Sequence, residues 1–264
     1  MNIVETGKQV QAWLTEKFSG HPVVFHHVPK CAGTSVARAL RLRYLASQTG
    51  IFSGASFYAA SAFHPNRTTL QVWPQVLDLR EQILVYHMYS RFRCIAAHVQ
   101  FSECAYERFA NTYKFITVLR EPVSRYISHY FWDLNGIEEW ARITVGIDAF
   151  IESEMGARYG TLFGEFFSGL PSDSDFGSPQ AVEAAKRNLD KFAVVGFLDD
   201  MPRFEQDLKR ELGVSIAIRH QNKSKVQDQT KKKLVTQEIR QRITELCAPD
   251  IEIYNYAKAK FAAR

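Results

Sequence analysis

The segment VVFHHVPKCAGTSVARAL, residues 23–40, constrains the fold of this chain more than any other. Its first residues are mostly apolar and β-branched or aromatic, which predicts a buried strand over Val23–Val28. Its last residues predict a helix from about Thr34 to Ala46. Between them lies Pro29–Ser35, a loop of small residues with one lysine. α/β proteins hold phosphate groups with this arrangement, because the free amides at a helix N-terminus bind anions.

The rest of the chain continues the alternation of short strands and helices. The predicted strands after the first are 94–99, 114–119 and 193–198, and the predicted helices are 4–18, 74–88, 123–133, 180–191, 202–212 and 236–262, with further helices within 137–167. Residues 49–72 show no steady period and are predicted to be irregular, and SGLPSDSDFGSP, 168–179, is predicted to be a flexible loop. This order predicts a single P-loop-like α/β domain over 1–264, with a central parallel sheet and helices on both faces.

Ligands of such sheets bind beyond the carboxyl ends of the strands. The rule selects four places as candidate functional positions: Pro29–Ser35, His98, Arg120–Glu121 and Asp199–Asp200.

Composition indicates an ordinary globular protein with a modest positive charge. The apolar fraction is 46%, the charged fraction is 23% and the net charge is +5, less than nucleic-acid modules tend to concentrate on one face. The first residues do not resemble a signal peptide, and no apolar run is long enough to span a membrane. Four scattered cysteines then predict free thiols in a reducing compartment, so we expect a cytoplasmic protein without an integral membrane span.

The loop after the first strand is open to several interpretations. Lys30 brings a mobile charge, Gly33 allows close approach of a ligand, and Thr34 and Ser35 either donate to phosphate oxygens or simply cap the helix. The GxxxxGK[ST] loop of ATPases is absent, because the lysine precedes the glycine by three residues. The CxxxxxR loop of cysteine phosphatases is disfavoured, since six residues separate Cys31 from Arg38.

A second candidate anion site lies in KFITVLREPVSRYISHYFW, 114–132. Arg120 falls where the strand ends, and Ser128 lies eight residues further on, within the next helix. An arginine fork and a hydroxyl can hold a phosphate monoester from two directions. The alternative is that Arg120 pairs with Glu121 and that Ser128 is an ordinary helix residue.

With both motifs the chain resembles the sulfotransferases that use 3′-phosphoadenosine-5′-phosphosulfate (PAPS). PKCAGTS is similar to their 5′-phosphosulfate loop, and LREPVSRYISHY is similar to their 3′-phosphate element, in which an arginine and a serine stand eight residues apart. The resemblance is greatest to the carbohydrate branch, which includes the heparan sulfate 2-O type and bacterial relatives (sulfotransferase family 2). It implies that PAPS binds to Lys30, Cys31, Ala32, Gly33, Thr34, Ser35, Arg120 and Ser128.

Two further segments extend the resemblance. AAHVQF, 96–101, is similar to an HGHV segment that supplies the proposed catalytic base, which carries over to His98, although Ala96 replaces the first histidine. The segment 220–224 is similar to late basic loops that close over the nucleotide, which implies a contact from Lys223 and Ser224.

The resemblance implies transfer of a sulfonate group from PAPS to a hydroxyl of an acceptor, with 3′,5′-adenosine bisphosphate as the product and no metal. Lys30 and His98 are the expected catalytic residues, and the expected acceptor is a sugar, a glycolipid or a small metabolite rather than a nucleic acid. Two alternatives stay open. The first is an atypical ATP-dependent small-molecule kinase, in which Asp199 and Asp200 bind metal rather than cap a helix. The second is a non-catalytic module that binds polyanions through the basic run 219–233.

Overall fold

The computed structural model describes residues 20–45, 47–134, 136–218 and 234–262. The helix expected at 4–18 and the basic run 219–233, with Lys223 and Ser224, lie outside the described residues.

The described core is a five-stranded sheet in which every pair of neighbours is parallel. Its strands are β1 Val23–His26, β2 Gln48–Thr49, β3 Cys94–Ala97, β4 Lys114–Leu119 and β5 Val194–Phe197. Their order across the sheet is β2-β3-β1-β4-β5, so β1 is central and Val23 lies opposite both Cys94 and Lys114. The chain moves from β1 to one side of the sheet and later crosses β1 to reach β4. The loops after these strands therefore meet where an α/β sheet binds its ligands.

Helices cover both faces of the sheet. They are α1 Gly33–Arg43, α2 Ser53–Ala62, α3 Thr69–Tyr89, α4 Glu103–Phe109, α5 Pro122–Asp133, α6 Ile147–Ile151, α7 Glu154–Gly160, α8 Leu162–Phe167, α9 Pro179–Leu189, α10 Met201–Leu212, α11 Gln237–Leu246 and α12 Ala248–Phe261, with 3-10 turns at Glu139–Ala141 and Leu198–Asp200. Alternate strand residues face opposite sides: Val23 packs with α1 and α10, and Val24 packs with α3, α4, α8, α9 and α12. The predicted α/β class, with a parallel sheet between helices, is confirmed.

The prediction of irregular structure over 49–72 is wrong, because α2 and the first turn of α3 lie there. α3 begins with a capping box. The Thr68 hydroxyl accepts from the amide of Gln71, and the Gln71 side chain accepts from the amide of Thr68. The helix thus starts five residues before Pro74, which lies inside it.

The segment between α8 and α9 is a loop, as predicted. Its flexibility stays a prediction. Phe176 within it packs against the hydrophobic cluster of α2 and α3, and Ser178 caps α9 by accepting from the amide of Ala181.

α5 carries the second sequence motif and is fixed at its start and along its buried face. The Glu121 carboxylate accepts from the amides of Val123 and Ser124 at 2.9 and 2.8 Å and so caps the helix. Glu121 therefore has a role in α5 that does not depend on pairing with Arg120. Further along, the fully buried Arg125 pairs with Asp250 of α12 at 3.2 Å. Asp250 also accepts from the amide of Phe163 at 2.9 Å, so one carboxylate joins α5, α8 and α12.

In the described part of the chain, the helices are all too short or too polar to cross a bilayer.

Candidate functional site

A cavity of about 680 Å³ opens at the carboxyl ends of β1, β3 and β4. The sequence-predicted residues among those that line it are Lys30, Ala32, Gly33, Thr34, Ser35, His98, Arg120 and Ser128. The fold therefore brings both candidate anion sites and the candidate base to one space.

The loop after β1 has the backbone geometry of an anion site. Lys30 and Ala32 adopt left-handed conformations, with φ of 65° and 59°. The amide of Ser35 donates to the Ala32 carbonyl at 3.0 Å, which begins α1, and no side chain caps this helix. The amides of Gly33 and Thr34 have no acceptor among the residues that the structure describes. A turn of this kind ahead of a helix N-terminus directs its amides and the helix dipole at a bound anion.

His27, which the sequence motifs did not select, lies directly over Gly33. A Cβ added at position 33 would lie 1.6 Å from Cδ2 of His27, so only glycine leaves room for this ring. The His27 ring in turn stacks on His98, with centroids 4.0 Å apart. The glycine is thus required by a side chain of the preceding strand end, and not only by a ligand.

Lys30 and Arg120 connect the two motifs. The Lys30 ammonium lies 3.7 Å from the centroid of the Trp132 ring on α5, a cation–π contact. The Arg120 guanidinium, at the end of β4, donates from Nη1 to the carbonyl of Lys30 at 3.2 Å. Burial lowers the pKa of Arg120 from its usual value. The loop after β1 is therefore tied to the loop after β4.

The Cys31 side chain points away from the cavity into the core and is 1% exposed. Burial raises the pKa of its thiol to about 12, so the thiolate required of a phosphatase nucleophile does not form at neutral pH. Arg38 lies on the exposed surface of α1. The cysteine-phosphatase alternative does not fit this arrangement, and any contact of Cys31 with a nucleotide has to come from its backbone.

His98 is uncharged and has one unprotonated ring nitrogen. Its Nδ1 lies 2.6 Å from the carbonyl oxygen of His27. Because a carbonyl only accepts hydrogen bonds, Nδ1 carries the proton and Nε2 keeps its lone pair. Burial, with a smaller effect of the nearby Arg80, lowers the pKa of His98 to about 4, so the ring is uncharged at neutral pH.

A second polar group lines the cavity along α5, and the sequence motifs did not reveal it. His129 Nε2 lies 3.3 Å from Asp133 Oδ2, and the Tyr159 hydroxyl donates to the same oxygen. The rings of His129 and Tyr159 stack at 4.0 Å. Burial raises the pKa of Asp133 to about 6, which leaves it a carboxylate at neutral pH, and burial lowers the pKa of His129 well below its usual value. The spacing of histidine and aspartate by four residues was the one sequence pattern that could have suggested this pair.

Aromatic rings and a neutralised arginine form another wall of the cavity. Arg158 donates to both oxygens of Glu165, at 2.7 and 2.8 Å, and its guanidinium lies 3.9 Å from the Trp73 ring centroid. Trp140 stacks on Phe57, with centroids 4.9 Å apart. Glu165 compensates Arg158, so this wall offers aromatic faces and the charge of Arg80, whose guanidinium lies 5.2 Å from the Trp73 ring centroid.

The fourth place selected by the sheet rule does not contribute a carboxylate to the site. Asp200 accepts from the amide of Arg203 at 3.3 Å and caps α10, and Asp199 pairs with Lys258 at 2.8 Å. Within the described ranges, no group of three or more His, Cys, Asp or Glu side chains is arranged to hold a metal ion.

The parallel sheet, the loop after the central strand and the arginine at the end of its neighbour form an arrangement that suits the binding of an anionic ligand. The model described as "Sulfotransferase family" (Sulfotransfer_2) matches residues 18–156, just over half of the chain. The chain therefore belongs to the sulfotransferase family, whose members transfer sulfonate groups. The match includes the anion loop, His98 and all of α5, and it ends before Arg158 and Glu165. No curated protein matches the chain.

Proposed function

We propose that this protein transfers a sulfonate group from PAPS to a hydroxyl of an acceptor, most suitably a carbohydrate or a glycolipid. The observation that carries the proposal is that the loop of Lys30 and the pair Arg120 and Ser128 line one cavity and are joined by the hydrogen bond from Arg120 to the Lys30 carbonyl. PAPS carries phosphate groups at both ends of its ribose. One ligand thus accounts for both anion sites.

In this proposal the chain stabilises charge and positions the reactants. The acceptor oxygen attacks the sulfur atom, and the bond from sulfur to the bridging oxygen of the 5′-phosphate breaks. Negative charge grows on that departing oxygen, where Lys30 and the free amides of Gly33 and Thr34 stabilise it. Arg120 and Ser128 hold the 3′-phosphate and supply binding energy remote from the reaction.

The proton of the acceptor hydroxyl passes to Nε2 of His98, the atom that the His27 carbonyl leaves unprotonated. Lys223 and Ser224 stay proposed nucleotide contacts from the late basic loop. The indole rings of Trp73 and Trp140, which line the cavity, suit the apolar face of a sugar ring or the apolar part of a glycolipid.

A thermal-shift titration tests the donor site. At 100 times its dissociation constant, 3′,5′-adenosine bisphosphate should stabilise the protein by about 2.7 kcal/mol, or roughly 5–10 °C for a chain of this size. Arg120→Ala should abolish the shift, whereas Arg240→Ala, which removes the same charge from the exposed surface of α11, should keep it. A shift with magnesium-ATP but not with the bisphosphate would instead favour the kinase, and a shift with heparin alone would favour the polyanion module.

Turnover then separates the proposed roles. Lys30→Ala should lower kcat by roughly 10²–10³, the usual cost of one lost transition-state donor. His98→Ala should abolish transfer and keep bisphosphate affinity. Full activity in His98→Ala would remove His98 from the mechanism.

A further inference from the structure

The two oxygens of the Asp133 carboxylate differ in their hydrogen bonds to the protein. Oδ2 accepts from Tyr159 and faces Nε2 of His129, whereas Oδ1 accepts no hydrogen bond from the described residues. The side chain lines the cavity and keeps 9% of its exposure. A mostly buried carboxylate on a cavity is a strong acceptor for a ligand hydroxyl, because a hydrogen bond to a charged group is strengthened where little water competes for it.

Two rows of side chains on α5 point to neighbouring parts of one cavity, and the charge of Lys30 in the proposed donor site acts on Asp133 as well. Ser128 and Trp132 stand four residues apart on the helix, and Trp132 contacts the Lys30 ammonium. His129 and Asp133 form the neighbouring row, with the same spacing, and it turns towards Tyr159 of α7. Ser128 and Trp132 thus lie on the side of the proposed sulfonate donor, and His129 and Asp133 line the rest of the cavity.

We propose that Asp133 binds a hydroxyl of the acceptor other than the one that is sulfated, and that the acceptor group in this cavity is an uncharged sugar ring. The proposal rests on the proposed function, since it names the acceptor of that reaction. Tyr159 and His129 are positioning residues, which fix Oδ2 so that Oδ1 faces the ring.

Charge and shape both favour an uncharged ring. A carboxylate accepts hydrogen bonds from hydroxyl groups and repels the carboxylate or sulfate of an acidic sugar. Of the cations that line the cavity, Lys30 and Arg120 belong to the proposed donor site, and Arg158 already forms two hydrogen bonds with Glu165. The donors of Arg80 point to Ser56 and to the carbonyls of Ser53 and His98. Trp140 is half-buried and lines the cavity, so part of its indole ring is available for apolar contact with the sugar ring.

The test uses the full-length protein, radiolabelled PAPS and p-nitrophenyl glycosides of glucose, galactose, mannose and glucuronic acid, with the monodeoxy forms of the neutral three. We expect at least one neutral glycoside to be a better acceptor than the glucuronide. Asp133→Asn should lower kcat/KM for that glycoside by roughly 10- to 100-fold, the usual effect of one hydrogen bond to a charged group. The loss should appear mainly in KM, and affinity for 3′,5′-adenosine bisphosphate should stay unchanged.

A deoxy analogue distinguishes contact from a structural effect. For the one analogue that lacks the bound hydroxyl, Asp133→Asn should change kcat/KM by less than about threefold, because both partners of the hydrogen bond are then absent. Tyr159→Phe should give a smaller loss in the same direction. Asp148→Asn is the matched control, since it removes one carboxylate charge from the exposed surface outside the cavity and should behave as the wild type.

Three results would overturn the proposal and leave the donor site intact. The first is bisphosphate binding without transfer to any neutral glycoside, and the second is an equal loss of kcat/KM in Asp133→Asn with all deoxy analogues. The third is the same loss of kcat/KM in Glu138→Gln, which changes the exposed carboxylate beside Trp140. Absence of bisphosphate binding would instead refute the proposed function itself.

Discussion

Gly33→Ala tests the stacked histidines over the anion loop. The added methyl group would lie 1.6 Å from Cδ2 and 1.8 Å from Nε2 of His27, far inside van der Waals contact. The His27 ring cannot simply turn aside, because it stacks on His98 at 4.0 Å and on Phe25 at 5.7 Å. Either the ring leaves its stack or α1 moves away from β1, and both changes disturb the loop that presents the free amides.

The expected cost follows from two opposing effects. Overpacking a buried site typically costs about 1–3 kcal/mol. Alanine favours a helix over glycine by up to about 1 kcal/mol, and position 33 is the first residue of α1, so part of the cost is offset. We therefore expect a net loss of about 1–2 kcal/mol, or roughly 2–8 °C in Tm for a chain of this size.

Urea unfolding and the thermal shift with 3′,5′-adenosine bisphosphate measure this prediction. The double variant Gly33→Ala/His27→Ala removes the clash, so alanine at position 33 should be neutral or stabilising in the His27→Ala background. Gly146→Ala is the control, because its Cβ would meet nothing within 4 Å; as the N-cap of α6 it should cost at most about 1 kcal/mol, and the same amount with and without His27. An equal cost of Gly33→Ala with and without His27 would refute the argument from this contact.

Three further predictions concern buried groups. Asp250→Ala leaves Arg125 charged and unpaired in the core, so the free energy of unfolding in urea should fall by about 3–5 kcal/mol, and a loss under 1 kcal/mol would contradict the role of the pair. Burial lowers the pKa of His26 to about 4; the folded state therefore resists its protonation, and stability falls as the pH drops from about 6.5 towards 4. The urea midpoint of His26→Leu should fall less steeply over that window than that of the wild type, and parallel slopes would exclude this histidine as a cause. Iodoacetamide at neutral pH should label the exposed Cys104 and leave Cys31 unlabelled, as mass spectrometry would show; rapid labelling of Cys31 in the folded protein would contradict its burial.

Four of the five described strands were predictable because their composition is distinctive, whereas β2, Gln48–Thr49, was not predicted, since two residues show no periodicity. β4 occupies Lys114–Leu119 as predicted, since a β-branched and aromatic run ends there at Arg-Glu-Pro. β1 ends at His26 rather than Val28, because His27 and Val28 already lead into the loop. The site motifs were predictable for a related reason: each follows a strand, and parallel strands bring their carboxyl ends to one edge.

The helices over 53–73 and the second row of α5 were harder to predict. α2 (SGASFYAASA) has no clear apolar face, and only the capping box at Thr68 marks the start of α3. Asp133 accepts a hydrogen bond from Tyr159, which is distant in sequence, and Trp140 stacks on a phenylalanine of α2. Contacts of this kind depend on tertiary packing, and local propensity carries no information on them.

α5 explains why donor and acceptor should be coupled in the proposed reaction. Trp132 contacts Lys30 of the anion loop, and Ser128, one turn earlier, lines the same cavity. His129 and Asp133 form the next row of the same helix, so any rotation of α5 displaces both rows together. The pair of Arg125 with Asp250 opposes such a rotation from the buried side. A change in one row should therefore affect one substrate, as proposed for Asp133, whereas a mild change at the anchor, such as Asp250→Asn, should weaken the binding of both. Independent effects on the two substrates in the anchor variant would mean that α5 does not act as a rigid body.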